Sequence, residues 1–379
     1  MPRSHDIVAA VDVGAGSGAK LGLFDVGPDG DAPRLIAESD VPVARYGGSP
    51  ETMADALAGA LRALATGIQE AAPGLGAVGI ACPGLFKSDG TAITVSNLGF
   101  LSGASLPSVL GERLNVPLAI ANDADAGGLA EWALAREEIL YWILGGGWGG
   151  AWVSADGRVM FPSVDWDGND SSLHPANEPG YAVPLEKDAL ARVFAEENDE
   201  RASFNGFEDI LRRDLGDGAL SGPCGDKGSI RAETLVSGPG RVRVFRAFLE
   251  AGPTCDDALT PEEERALEGL ADAGAVVTAL GERGMAAAVR TDRVFGQALG
   301  EAGAKVIAAA ERDGCPRGAP VHVAGGPAKA LHLFGPDAEE RLRAKGFSNR
   351  LLPSRVEAEG RNANLLGAAV MAMGLVREP

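Results

Sequence analysis

At 379 residues the chain is longer than one ordinary hydrophobic core serves, and two packed lobes are expected. A 45% hydrophobic content with 53 glycines fits a globular α/β protein and excludes a disordered chain. The formal net charge of -19 argues against a nucleic-acid backbone or an anionic membrane as partner, because both repel the chain on average.

Ile7 to Val13 is an apolar strand-like run entering the cluster Gly14-Ala15-Gly16-Ser17-Gly18. Ala19 to Asp25 then alternates small or polar with apolar side chains, so the glycine loop joins two strands. A third strand is expected at Arg34 to Val43, then a helix at Pro50 to Gln69 with Ser49 as its N-cap. Gly76 to Ala81 reads as a buried strand before the turn Cys82-Pro83-Gly84, and Ala92 to Val95 as a short strand leading to Ser96-Asn97. A helix at Ser105 to Leu114, a strand at Pro117 to Ala121 and a helix from Ala124 to Arg136 complete one α/β lobe.

Ile139 to Leu144, a loop from Gly145 to Gly150, and Ala151 to Val159 with a turn at Ala155-Asp156-Gly157 repeat the opening theme of strand, glycine loop and strand, a duplication of architecture though not of sequence. Pro184 to Arg312 is mainly helical, with amphipathic stretches at Asp188 to Glu197, Gly238 to Ala251 and Pro261 to Ala310. Val321 to Ala324 is a buried strand entering Gly325-Gly326-Pro327; a strand at Arg350 to Pro353 and a helix from Leu365 to Val376 follow. No run approaches the ~20 apolar residues of a membrane span. Met1 to Asp6 form no apolar signal segment, and Cys82, Cys224, Cys255 and Cys315 form no CxxC pair, so a soluble cytosolic chain without disulfides is expected.

The cluster Gly14 to Ala19 satisfies a relaxed dinucleotide pattern, but that site needs the loop to open a helix, and here a strand containing Gly22 follows. A P-loop fails as well, since Lys20 is misplaced and no hydroxyl follows it. A tight hairpin with no ligand is the plain alternative. Three glycine turns after strands, at Gly14 to Gly18, Gly145 to Gly150 and Gly325-Gly326, together point to a nucleotide whose phosphates approach bare backbone. Asp12 ends the first strand, where a carboxylate can hold a magnesium-bound water; a lone aspartate there is otherwise a turn residue.

Asp12-Val13-Gly14 with Ala19 to Asp25 resembles the first phosphate motif of bacterial glucokinases and ROK-family sugar kinases, with a loop one residue longer and Ser17 in place of a threonine. Gly79 to Gly84, Asn97-Leu98, and Ile120 to Ala126 with Glu131 are similar to the sugar-binding and catalytic segments of that superfamily. Leu144 to Gly150 looks like its second phosphate motif, with Gly146 where a threonine is usual. Glu178-Pro179-Gly180-Tyr181 stands at a Glu-x-Gly-His segment, Glu233 to Gly240 at Glu-x-x-x-Ser-Gly-Pro, Val323 to Gly326 at the adenosine turn, and Asn362 with Leu365 to Gly367 at the last helix.

The resemblance implies an α/β actin-like (hexokinase/ribonuclease H-like) fold of two lobes with a nucleotide and sugar cleft between them, residues 1–121 plus about 362–379 forming the smaller lobe and 122–361 the larger. It implies an ATP-dependent sugar kinase, transferring the γ-phosphoryl group to a hexose hydroxyl, and a homodimer. Asp123 is then the general base, Asn97, Asn122, Glu178, Tyr181 and Glu233 hold the sugar, and Asp12 serves Mg²⁺ through water. Gly14, Gly16, Ser17, Gly18, Lys20, Gly145, Gly146, Gly147, Gly325 and Gly326 approach ATP. Read without the resemblance, Asn122-Asp123 is equally a helix N-cap.

Many ROK proteins hold a structural zinc through the His of Glu-x-Gly-His and three cysteines. Tyr181, Gly222 and Ser229 occupy three of those places and leave Cys224 alone, so no structural zinc is expected. Tyr181 also replaces a sugar-contacting imidazole, which bears on the choice of glucose, an amino sugar or another sugar. The alternative class is a noncatalytic sugar-sensing protein of the ROK type.

Overall fold

The computed structural model describes residues 7–14, 18–27, 31–68, 74–95, 98–163, 173–196, 204–251, 258–268 and 270–377. The chain begins with β1 (Ile7–Gly14), β2 (Gly18–Asp25), β3 (Arg34–Val41), α1 (Pro50–Thr66), β4 (Val78–Ala81), β5 (Leu85–Phe86) and β6 (Ala92–Thr94). It continues through α2 (Leu106–Leu114), β7 (Leu118–Ala121), α3 (Asp123–Ala135), β8 (Ile139–Leu144), β9 (Trp148–Val153) and β10 (Val159–Met160). Next come α4 (Pro179–Ala182), β11 (Pro184–Glu186), α5 (Lys187–Glu196), α6 (Phe204–Leu215), β12 (Ser229–Arg231) and α7 (Gly238–Glu250). The remainder is α8 (Pro261–Glu268), α9 (Leu270–Glu282), α10 (Ala286–Arg312), β13 (Val321–Ala324), α11 (Leu331–Ala344), β14 (Leu351–Pro353), α12 (Arg355–Ala358) and α13 (Ala363–Arg377).

Two five-stranded sheets share one layout. The first has the order β3-β2-β1-β4-β7 and the second β10-β9-β8-β13-β14. In the first, β1 to β3 are antiparallel and β1, β4 and β7 parallel; in the second, β9 and β10 are antiparallel and β13 and β14 parallel. The duplicated theme expected from the two glycine loops is therefore present at the level of topology. The second loop is tighter than expected, because Trp148, Gly149 and Gly150 already lie in β9. The expected stretch Pro261 to Ala310 is three helices, and Gly284, with φ of 79°, stands at the break between α9 and α10. A small antiparallel pair, β11 with β12, interrupts the region expected to be helical.

The first sheet owes its stability to β1, in which Ile7, Val8, Val11 and Val13 are buried, each such side chain worth about 1.5–3 kcal/mol relative to exposure. Ser49 accepts a hydrogen bond from the Thr52 amide and Pro50 opens α1, whose Met53, Leu57 and Leu61 face this core. The helix α13 packs on β1, β4 and α3, and small residues make that possible. A side chain at Gly367 would overlap the Ala126 carbonyl of α3, and one at Gly79 would overlap the Ala368 carbonyl of α13. Backbone-to-backbone approach thus fixes the starts of α13 and α3, and with them the acidic groups described below.

The chain divides into two compact units, Met1–Tyr141 with Ala151–Ser172 and Ser354–Pro379, and Trp142–Gly150 with Leu173–Pro353. Among the described residues no helix is long and apolar enough to cross a membrane.

Candidate active site

In the first unit Asp12 lies near the end of β1, opposite Lys20 of β2 and Ala81 of β4. Its Oδ2 accepts from the Asn362 amide group at 2.8 Å and its Oδ1 from that of Asn364 at 3.3 Å. Asn362 is aimed by its own backbone role, since its Oδ1 accepts from the Leu365 amide at 3.0 Å in the first turn of α13. Burial pushes the Asp12 carboxyl above the usual range; the two amides and the Lys20 charge oppose it. Tyr46, buried in the turn after β3, donates its hydroxyl to the Gly14 carbonyl at 3.1 Å. Gly16, Ser17 and Asn97 lie outside the described residues.

Asn122 and Asp123 stand differently at the start of α3. Asn122 is the N-cap of α3: its Oδ1 accepts from the Ala124 amide at 2.8 Å, and its Nδ2 donates to the Gly84 carbonyl at 2.8 Å. Asp123 is the first helical residue, and its Oδ1 also accepts from the Ala124 amide, at 3.0 Å. Asp123 as a residue is half-buried, and its carboxyl is closely surrounded by protein. Burial, followed by the charge of Asp12, raises its pKa to about 6. Cys82 sits buried beside both acids, and burial with their charges pushes its thiol up, so it stays protonated.

Two other carboxylates of α3 have structural partners. Asp125 accepts from the Ser163 amide at 2.9 Å. Glu131, fully buried, accepts from the Ser354 hydroxyl and from the amides of Arg355 and Val356, both at 3.2 Å, at the start of α12. These bonds account for the Glu131 of the segment that resembles the family's catalytic one.

In the second unit the turn between β8 and β9 leaves backbone uncovered. The Gly145 amide donates to the Gly147 carbonyl at 2.9 Å, and the Gly238 amide, at the start of α7, donates to the Gly145 carbonyl at 2.8 Å. Space beside the α-carbons of Gly145, Gly146 and Gly326 is open. Gly325 differs: its φ of 91° and the Leu144 carbonyl against it leave no room for a side chain, so it is a packing glycine.

Glu233 borders the same turn, with its Oε2 2.7 Å from where a side chain on Gly147 would begin. The segment Glu178 to Tyr181 lies against it, a side chain at Gly180 falling 2.6 Å from the Trp148 carbonyl and 2.8 Å from the Glu233 Cβ. Glu178 precedes α4 as its N-cap residue and Tyr181 lies within α4. The guanidinium of Arg231 stands 3.6 Å from the centre of the Tyr181 ring. Burial raises the Glu233 carboxyl, and the charge of Arg231 opposes that rise. The Asp226 carboxylate accepts from the Gly228 amide at 2.9 Å and the Ser229 hydroxyl at 2.5 Å just before β12. Among the described residues no three His, Cys, Asp or Glu side chains are grouped to hold a metal.

Sequence reasoning missed Asn364, Tyr46 and Arg231. Each acts on a residue distant in the chain or in another element, and none belongs to a local motif.

The ROK family model matches residues 37–161. A ROK family glucokinase from Streptomyces griseus, solved with glucose and AMPPNP, superposes with a TM-score of 0.59 at 20% identity, covering 97% of this chain and 99% of that one. The ROK hexokinase of Thermus thermophilus gives 0.65 at 23% identity, covering 98% and 100%. The fold is that of the actin-like ROK sugar kinases. A ROK family transcriptional regulator, a homologue of the E. coli MLC protein, shares it with a TM-score of 0.66 at 16% identity, covering 98% of this chain and 79% of the regulator. No curated protein sequence matches the chain.

Proposed function

We propose that the protein is an ATP-dependent sugar kinase that transfers the γ-phosphoryl group of ATP to a hexose hydroxyl, the 6-OH of glucose or of a related sugar, with Asp123 as general base. The observation that carries this reading is the placement of Asp123 in the first turn of α3, beside the Asp12 charge and next to an Asn122 that supplies the helix cap. The Asp123 pKa of about 6 leaves it mostly ionised at neutral pH yet basic enough to take a hydroxyl proton. As a residue Asp123 is half-buried. In the reaction the sugar oxygen bonds to the γ-phosphorus as the bond to the bridging oxygen of ADP breaks, and the hydroxyl proton passes to Asp123.

Asn122, Glu178, Tyr181 and Glu233 would hold sugar hydroxyls, with Asn97 from the adjoining segment. The open backbone at Gly145, Gly146 and Gly326 would admit the nucleotide, with Gly14, Gly18 and Lys20 at the first turn. Asp12 fits Mg²⁺ held through water: it is an oxygen donor whose two amide partners add no positive charge, beside a second carboxylate that a cation would relieve. Bound there, Mg²⁺ would neutralise phosphate charge during transfer. We place no zinc near Tyr181, because its ring faces Arg231 and the Ser229 hydroxyl is committed to Asp226.

ADP release measured against hexoses and amino sugars tests the reading. Turnover that the Asp123→Ala variant retains in full would sink it. The regulator fold match favours one rival, a noncatalytic sugar-binding protein, for which sugar would bind and ADP would never appear.

A further inference from the structure

We infer that Arg231 is a positioning residue of the sugar site, holding the ring of Tyr181 by stacking on it and thereby setting which sugars are accepted. The inference rests on the sugar-site reading of Tyr181 and Glu233 given above.

Three observations converge on this one side chain. The guanidinium lies 3.6 Å from the Tyr181 ring centre, close enough for its plane to cover one face of the ring. Arg231 closes β12, which pairs with β11 just after α4, and its backbone partner is Pro184, three residues beyond Tyr181. Its position is therefore fixed by the same small sheet that follows the Tyr181 helix. The second residue after it is Glu233, whose carboxyl feels the Arg231 charge as its opposing influence.

The glycines complete the device. Gly180 has no room for a side chain because Glu233 and Trp148 lie against it, so the backbone just before Tyr181 is packed close to Glu233. On its other side the turn 226–229 is locked by the Asp226 carboxylate, which stiffens the approach to β12. A phenol covered by a cation on one face offers a substrate its edge and hydroxyl. Lysine would keep the charge but lose the planar contact.

The experiment measures sugar binding without nucleotide, and steady-state kinetics with it, for the wild type and for Arg231→Lys, Arg231→Gln, Tyr181→Phe and Tyr181→Ala. Arg231→Lys should weaken binding of the preferred sugar about tenfold and change the ranking of sugars, with KM for ATP unchanged. Tyr181→Phe, which keeps the stack, should retain the ranking, and Arg231→Gln should add little once Tyr181 is alanine. Wild-type affinity and ranking in Arg231→Lys, or a full Arg231→Gln effect in the Tyr181→Ala background, would overturn the inference while leaving the kinase reading intact. Binding that depends on Arg231 in a protein that never releases ADP would overturn the kinase reading alone. A wild type that binds no sugar overturns both.

Discussion

The two sheets are laid out alike, yet their corresponding glycine turns are equipped differently. At the end of β1 the chain places a carboxylate, Asp12, and clamps both of its oxygens with amides from the start of α13. At the end of β8 it places no acid, and the glycines that follow leave open backbone. One scaffold has thus been given, at one end, a strand-borne carboxylate suited to a cation and, at the other, open backbone with the Glu233 carboxyl at its border. The lesson is that the β-hairpin with a glycine turn is only the support, and that the groups docked against it decide its chemistry.

The largest effect should come from the acid that the first turn adjoins. Asp123→Ala should lower kcat by about 10³ while sugar binding, followed by calorimetry, persists. Asp12→Ala should lower magnesium affinity by about 10- to 100-fold, read as a raised magnesium requirement in the coupled assay. A wild-type magnesium requirement in Asp12→Ala would erase the distinction between the two turns.

The glycines sharpen the contrast. Gly325→Ala should destabilise the protein by about 1–3 kcal/mol in denaturant titration, because the new side chain meets the Leu144 carbonyl at a positive φ. Gly146→Val should leave stability unchanged and raise KM for ATP, since the space it fills is open.

The pH dependence gives the smallest effect. The wild-type rate should rise with pH and then level as Asp123 loses its proton, with a midpoint below about 6 once a cation offsets the Asp12 charge. Its folded pKa lies above the unfolded value, so the native state binds the proton more tightly. The Asp123 contribution to stability therefore falls as pH climbs from about 4 to about 6. Asp123→Asn, inactive, should accordingly melt a few degrees higher than the wild type at pH 8 and no higher at pH 4.

Much of this was legible in the sequence where the signal is local. The strand, glycine turn, strand order at Ile7 to Asp25 follows from an apolar run and then alternation, and Asn122-Asp123 between a strand and a helix gave the cap. What no local pattern shows is contact across the chain. Asn362 and Asn364 reach Asp12 from 350 and 352 residues away. Glu131, in the segment that resembles the family's catalytic one, turns inward to the start of α12, because a buried carboxylate is satisfied by the nearest free amides. The stack of Arg231 on Tyr181 likewise joins two elements that the sequence separates by fifty residues.

Trp148 opens β9 directly after the turn at Gly145 to Gly147, and its ring meets that of Trp142 edge-on with centroids 5.2 Å apart. Both indoles are buried, and among the described residues neither N–H has a hydrogen-bond partner. With the other three of the five tryptophans replaced, this pair should give a blue-shifted emission that follows displacement of the turn without a label.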